Sequence, residues 1–250
     1  MLGLPRSARL AAWAGCWLAG DVTLDEVVTR VRGDDEPHTA GGQPDGEPNN
    51  SLGAALDRLR ASGARGLRVA LPRPGDPHGL AGPRELTEAA VAAGEAVVCV
   101  GVDVALVPTI ATFGPPGDRG TLVTWAWRPA NPPPPVPALS EVDRALTSEL
   151  RDAGSTLAGL DVAAWRPDAV RLLDDLRSSA PAAPLPRSFP PAAQTLAARA
   201  VRVLSVVDFA LADDGLALTA TAAQDRRDAL VSLERAARHA LAAACNALAD

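Results

Sequence analysis

The sequence predicts a mixed α/β (α+β) fold, in which a small sheet with helices is followed by a bundle of helices. The first half of the chain alternates helix and strand patterns, residues 131–138 are rich in proline, and only helix patterns follow them. Proline-rich segments favour an extended spacer of about 3.1 Å per residue. We therefore expect an α/β domain over residues 1–130, a linker over 131–138 and a helical domain over 139–250.

A helical hairpin is predicted at the start of the chain. Apolar residues within 10–18 recur at spacings of three and four, the stripe of an amphipathic helix, and Gly20 favours its end. Thr23 and Glu26 form a capping-box pattern that begins a second short helix. Residues 33–50 are dense in Gly, Pro, Asp and Asn, so we expect a mobile loop there, at least from Ala40 onward.

A four-stranded mixed sheet is predicted between this loop and the linker. A helix stripe precedes a short alternating strand at residues 67–71, and a second helix over 84–93 has Pro83 at its start and Gly94 past its end. Valine-rich stretches predict further strands near residues 95–102, 104–112 and 121–128. The order strand, helix, strand predicts a right-handed crossover that makes the first two strands parallel, and the later strands continue antiparallel.

About four helices are predicted beyond the linker. Ser140 with Asp143 can cap the first, and Pro167 with Asp168 opens another. Two longer apolar stripes follow at spacings of three and four, one with Leu196, Ala200, Val203, Val207 and Leu211, the other with Leu230, Leu233, Ala237, Leu241, Ala244 and Leu248. Such stripes predict an antiparallel bundle and could pair with a partner helix where they are not buried.

The composition excludes several function classes. The sequence has no lysine and no tyrosine, a pattern typical of a GC-rich bacterial genome, and all 24 basic residues are arginine. Schiff-base lysines and the P-loop lysine are therefore excluded. A net charge of −6 without a run of arginine argues against a nucleic-acid partner. The longest apolar run, residues 96–111, is broken by Asp103 and Pro108, which favours buried strands over a membrane span.

Three cysteines, Cys16, Cys99 and Cys245, lie far apart in apolar stretches. This spacing predicts neither a disulfide framework nor a zinc site, and instead indicates buried thiols in a reducing compartment. The residues before Cys16 loosely resemble a lipoprotein cleavage site, but the amphipathic stripe argues against an export signal. We therefore expect a cytoplasmic protein with no membrane partner.

One pattern with chemical content occurs twice, as Glu36-Pro37-His38 and as Asp76-Pro77-His78. Two imidazoles with several carboxylates suit a divalent metal or general acid–base work near neutral pH. The candidate metal ligands are Asp34, Glu36, His38, Asp76 and His78, with Asp35 beside them. Acidic residues, proline and histidine are also ordinary turn residues, so two unrelated turns are the alternative.

The second copy lies in a candidate ligand loop over residues 72–83, between a strand and a helix N-terminus. Such positions bind anions in α/β proteins, and glycines let a ligand approach the backbone. The candidate ligand-binding residues are Arg73, Asp76, His78, Gly79 and Arg84. The spacing matches neither a P-loop nor the dinucleotide fingerprint, so an ordinary long connection is the alternative.

Trp125 and Trp127 lie two apart on a predicted strand and share a face, where core packing is favoured over stacking on a ligand. No hydrolase or zinc-enzyme motif is present in the sequence. We therefore expect a non-enzymatic cytoplasmic protein that acts by protein–protein interaction or self-association and needs no cofactor. The alternative is a metal- or anion-dependent small-ligand binding protein or enzyme, whose site the 34–38 and 72–84 loops form around a divalent metal.

Overall fold

A computed structural model describes residues 3–42, 50–115, 117–159, 185–212 and 219–248. These residues form seven helices and a six-stranded mixed sheet, which confirms the predicted fold class. They divide into two compact units, which confirms a two-domain architecture. The sheet unit contains Pro5–Val136, and two short segments predicted as parts of the helical domain, Leu185–Pro190 and the chain end from Cys245, also belong to it.

The N-terminal helical hairpin forms as predicted. Helix α1 spans Arg6–Ala19, and Gly20 ends it with φ 89°, a left-handed conformation that glycine adopts without strain. Helix α2 spans Leu24–Arg32, and the Thr23 hydroxyl accepts a hydrogen bond from the amide of Glu26. The local capping signals therefore set both helix boundaries.

The sheet has two strands more than predicted. Its elements are β1 Thr39–Gly41, β2 Asn50–Ser51, α3 Leu52–Ala61, β3 Gly66–Ala70, α4 Arg84–Ala93, β4 Ala96–Val100, β5 Val104–Phe113 and β6 Gly120–Pro129. The strand order is β2-β1-β6-β5-β4-β3. The prediction of a loop throughout residues 33–50 is therefore wrong at β1 and β2, while residues 43–49 lie outside the described residues. Strand β1 forms because it pairs with β6, parallel to it, and not because of a local pattern.

The predicted parallel crossover between β3 and β4 is wrong, because these strands are antiparallel with Ala70 opposite Ala96. The loop after β3 first crosses to the other end of the sheet, where Asn131 donates its amide to the Ala81 carbonyl. Helix α4 then returns to the end at which the loop began. A long loop can reverse the direction of the connection, and the order of elements along the sequence cannot reveal this.

Both faces of the sheet are covered in its central part. Helix α4 packs Leu86 and Ala90 on one face, against a cluster that includes Val98 and Ala105. Helix α1 contacts β3 and β4. Trp127 lies opposite Leu106, on the face away from α4 because side chains alternate along a strand. Trp125 and Trp127 are both buried, as the favoured core interpretation predicted.

The helical unit consists of α5 Leu139–Gly159, α6 Pro191–Ala212 and α7 Ala220–Cys245 in the described residues. Side-chain bonds join the helices, since Arg199 on α6 donates to Asp143 on α5 at 2.7 Å and Ser232 on α7 donates to Glu149 on α5 at 2.8 Å. The helix predicted at Pro167 lies outside the described residues. Within the described part of the chain, no helix is both long and apolar enough to cross a bilayer.

Candidate functional site

The first acidic–Pro–His copy forms a buried hydrogen-bond network, in which His38 is 3% exposed. Trp125 Nε1 donates to His38 Nδ1 at 3.2 Å, and His38 Nε2 lies 3.3 Å from Asp35 Oδ2. Because Nδ1 accepts a hydrogen bond, Nε2 carries the proton and donates it to Asp35. Both ring nitrogens are engaged, so His38 offers no lone pair to a metal ion in this arrangement.

Two arginines of α1 surround the Asp35 carboxylate. Arg6 donates from Nε and Nη2 to the two carboxylate oxygens at 2.7 and 2.6 Å, and Arg9 Nη2 lies 3.5 Å from Oδ2. Burial raises the pKa of Asp35, but the bonds from Arg6 and His38 outweigh burial and hold the pKa below its ordinary value. Burial lowers the pKa of His38, although Asp35 opposes this. At neutral pH the pair is therefore a carboxylate and a neutral imidazole.

A glycine after α2 allows this network to form. Gly33 has φ 56° and ψ −123°, and a Cβ there would collide with the Arg9 guanidinium. The chain then turns so that the Glu36 amide donates to the Thr121 carbonyl at 2.9 Å, which leads residues 36–38 along β6. The Asp34 and Glu36 side chains are exposed to solvent, whereas the His38 side chain is buried. The predicted ligands of this copy therefore face different surroundings.

The two arginines of the candidate ligand loop bind groups of the protein itself. Arg73 donates to the Gly94 carbonyl at 3.0 Å and to the Pro72 carbonyl at 3.2 Å. A cation is favourable there because Gly94 ends α4, where the helix dipole is negative. Arg84 is exposed and donates to Glu88 at 2.6 Å, one turn further along α4. Both arginines thus have structural partners.

The remaining candidate residues form a compact turn beside β3. The amide of Asp76 donates to the Arg73 carbonyl at 2.9 Å, and Gly79 has φ 84° where a Cβ would lie 3.1 Å from that of Ala70. The His78 side chain is half-buried. Gly79 therefore serves close packing of the loop on the end of β3.

The sheet order separates the two acidic–Pro–His copies. His38 immediately precedes β1, and the second loop follows β3, four strands away in the sheet. Neighbouring strands lie about 4.8 Å apart, which corresponds to about 19 Å between β1 and β3. In the described residues, no three His, Cys, Asp or Glu side chains are grouped to hold a metal ion. A shared metal site stays a prediction, and this placement does not favour it.

The outer half of the β5–β6 hairpin exposes apolar side chains, and this exposure was not predicted from the sequence. Ile110 is 43% exposed, and Phe113 and Leu122 are each 47% exposed. Leu122 lies opposite Ala111, so it shares a face with Phe113, while Ile110 lies on the other face. A strand without any charged residue from Val104 to Phe113 was the available sequence signal.

One edge of β5 is open along this outer half. Strand β4 pairs with β5 only at Ala105 and Leu106, and among the described residues no bond from another element reaches 109–113 on that side. Pro108 lies opposite Trp125 in the middle of β5. Because proline has no N–H to donate to β6, the Pro108 nitrogen must face away from β6, towards the open edge. Backbone groups alternate between edges, so the N–H and C=O groups of Ile110 and Thr112 also face it.

Two other strand edges in the sheet unit are covered by the chain itself. The side-chain amide of Asn246 accepts from the Val69 N–H at 2.8 Å and donates to the Val69 carbonyl at 3.0 Å, as a neighbouring strand would. The Glu36 amide bonds to Thr121 on the edge of β6. The open edge of β5, residues 109–113, is therefore the candidate functional site, and it is suited to binding a polypeptide strand.

Two family models match the chain. The model described as Rv1486c-like protein, N-terminal domain, matches residues 7–142. The model described as Rv1486c-like protein, C-terminal domain, matches residues 140–242. The two matches meet just past the proline-rich linker. Neither the curated proteins nor the solved structures include a significant match to the chain.

Proposed function

The chain belongs to the Rv1486c-like family, and we propose that it is a non-enzymatic protein that acts by binding a polypeptide strand along the open edge of β5. The observation that carries the proposal is the outer half of β5, whose open edge pairs with no other described part of the chain, and beside which Ile110 and Phe113 are exposed. An added strand gains affinity from main-chain hydrogen bonds and specificity from alternate side chains. Three free, buried cysteines fit a reducing cytoplasm.

The helix stripes support a partner-binding role less well than the hairpin. Most of their members are buried within the chain, among them Leu196, Ala200, Leu233 and Leu241. A buried stripe is occupied by its own unit and is not available to a partner helix. The ligand-binding alternative is also less well supported, because both nitrogens of His38 have hydrogen-bond partners.

The proposal is tested by photocrosslinking in the native host. The full chain carries p-benzoylphenylalanine in place of Phe113, with Val231, 40% exposed on α7, replaced in the control. We expect a light-dependent covalent adduct at position 113 that exceeds the one at 231, with the attached peptide identified by mass spectrometry. An equal yield at the two positions would overturn the proposal.

A second variant shows whether the adduct depends on strand pairing. Thr112→Pro removes the N–H that faces the open edge, whereas Thr112→Val keeps it and preserves the side-chain shape. Losing one interchain hydrogen bond and its geometry costs about 1.4 kcal/mol, so the adduct at position 113 should fall about tenfold in Thr112→Pro. Retention of the adduct in Thr112→Pro would show that the partner binds in another way.

A further inference from the structure

We propose that the strand bound at the open edge of β5 is β5 of a second copy of this chain, paired antiparallel through residues 109–113. This inference rests on the proposed function and names its partner. The pairing is isologous, so each copy presents the same edge to the other, as a twofold axis requires.

The charge distribution permits this partner. From Val104 to Trp127 the only charged residues are Asp118 and Arg119, which lie in the hairpin turn, although the whole chain has a net charge of −6. Edge strands that avoid pairing with their own copies commonly carry charged side chains along the edge. Two copies of this strand meet no like charges along residues 109–113.

The backbone groups match in an antiparallel arrangement centred on Ala111, the middle residue of 109–113. Ile110 of one copy then lies opposite Thr112 of the other, and these are the residues whose N–H and C=O groups face the open edge. Hydrogen-bonded pairs in antiparallel sheets exchange two bonds each. The two Ile110–Thr112 pairs would therefore satisfy the open backbone groups of both copies.

The side chains fit the same register. Ala111 meets its copy on the axis, at a non-hydrogen-bonded pair where side chains come closest and a small residue fits. Phe113 lies opposite Thr109 of the second copy, and aromatic residues pair well with β-branched ones. The Phe113 ring already lies over Gly120, which has no side chain to displace it. The paired segment, residues 109–113 of each copy, forms a small interface, so the fraction of dimer depends on protein concentration.

Analytical ultracentrifugation of the full chain tests the partner. We expect the weight-average mass to rise from that of the 25.7 kDa chain towards twice that mass as concentration increases. Thr112→Val should dimerise like the original chain. Thr112→Pro should need about a hundredfold more protein for the same dimer fraction, since each of the two copies loses its Thr112 N–H bond and each loss weakens binding about tenfold. A chain that stays monomeric up to millimolar concentration would overturn the inference.

Disulfide trapping tests the register. Ala111→Cys places two thiols across the axis at a distance that a disulfide can span, whereas Thr109→Cys separates the two thiols by several residues along the strands. With copper–phenanthroline as oxidant, we expect a disulfide-linked dimer from Ala111→Cys and little from Thr109→Cys. The three native cysteines are buried and do not compete. Equal yields from both variants, or no dimer from Ala111→Cys, would overturn this pairing.

The crosslink at position 113 separates the two possible failures. If the chain is monomeric and the adduct contains a different protein, the second-copy inference is overturned and the proposed function remains. If no adduct forms beyond that at the Val231 control position, the proposed function is overturned as well. An adduct of two copies of this chain supports both.

Discussion

His38 is the residue at which burial changes the chemistry that the sequence suggested. In a loop rich in acidic residues, an imidazole is a candidate metal ligand, but here Trp125 and Asp35 occupy its two nitrogens. Asp35 in turn holds Arg6, so one carboxylate ties the loop after α2 to the first turn of α1. A neutral His38 completes this network, and its protonation would place a second donor against the indole N–H.

The state of His38 predicts how stability depends on pH. Burial holds its pKa in the folded chain below the ordinary 6.5, so below pH 6.5 the unfolded chain binds a proton that the folded chain does not. The free energy of unfolding therefore falls as pH drops from 6.5 towards the lowered pKa. Asp35 adds little above about pH 5, because its contribution is lost as the pH falls through the ordinary 3.8 towards its lowered pKa.

A His38→Asn variant checks this prediction, because asparagine does not titrate and can offer an oxygen to Trp125. Urea denaturation at a series of pH values should show a weaker decline in stability between pH 6.5 and about pH 5 than in the original chain. The same pH dependence in both proteins would contradict the assignment.

At the scale of elements, the strand edges show how the chain limits unwanted pairing. A single asparagine near the chain end replaces a strand at β3, since Asn246 satisfies both backbone groups of Val69. At β5 the outer five residues have no such cover among the described residues. The difference between these two edges locates the candidate interaction site on the hairpin.

Replacing Asn246 with alanine tests its role at the edge of β3. Two buried backbone groups of Val69 lose their partner, and we expect the free energy of unfolding to fall by about 2 kcal/mol. Trp13, Trp17, Trp125 and Trp127 belong to the sheet unit, so tryptophan fluorescence during urea denaturation follows mainly that unit.

Asn131→Ala is the matched control for that variant, because the Asn131 side chain is exposed and its backbone bond to Ala81 is retained. This control should unfold like the original chain. An unchanged denaturation midpoint in Asn246→Ala would show that the chain end does not stabilise β3.

At the scale of the whole molecule, the three cysteines are far apart in sequence but lie in the same structural unit. Cys16 lies on α1, Cys99 on β4 and Cys245 at the end of α7, and the sheet unit contains all three. Each is buried, and none of them forms a disulfide. Their thiols therefore report the unfolding of this unit rather than local motion at the surface.

Thiol reactivity should follow global unfolding. Burial raises the pKa of Cys99 and Cys245 to about 12 from 9.0, and three units correspond to about a thousandfold less thiolate. With an aromatic disulfide reagent at pH 8, we expect negligible reaction in the folded chain and three reactive thiols in urea. The reaction should rise over the same urea range as the fluorescence change. A thiol that reacts rapidly without urea would contradict this burial.

The sequence by itself determined the elements whose signals are local. The stripe within residues 10–18, the stop at Gly20 and the Thr23 cap act over four residues or fewer, so α1 and α2 form as predicted. The proline-rich linker likewise marked where helices replace the sheet. Such features depend only on neighbours along the chain, and a sequence contains that information directly.

Only the tertiary structure decided which distant groups meet. It made β3 and β4 antiparallel, paired β1 with β6, and left the outer edge of β5 without a neighbouring strand in the described residues. It also joined Asn246 to Val69, 177 residues apart, and enclosed His38. Strand pairing and burial depend on contacts between segments far apart in sequence, which no local pattern encodes.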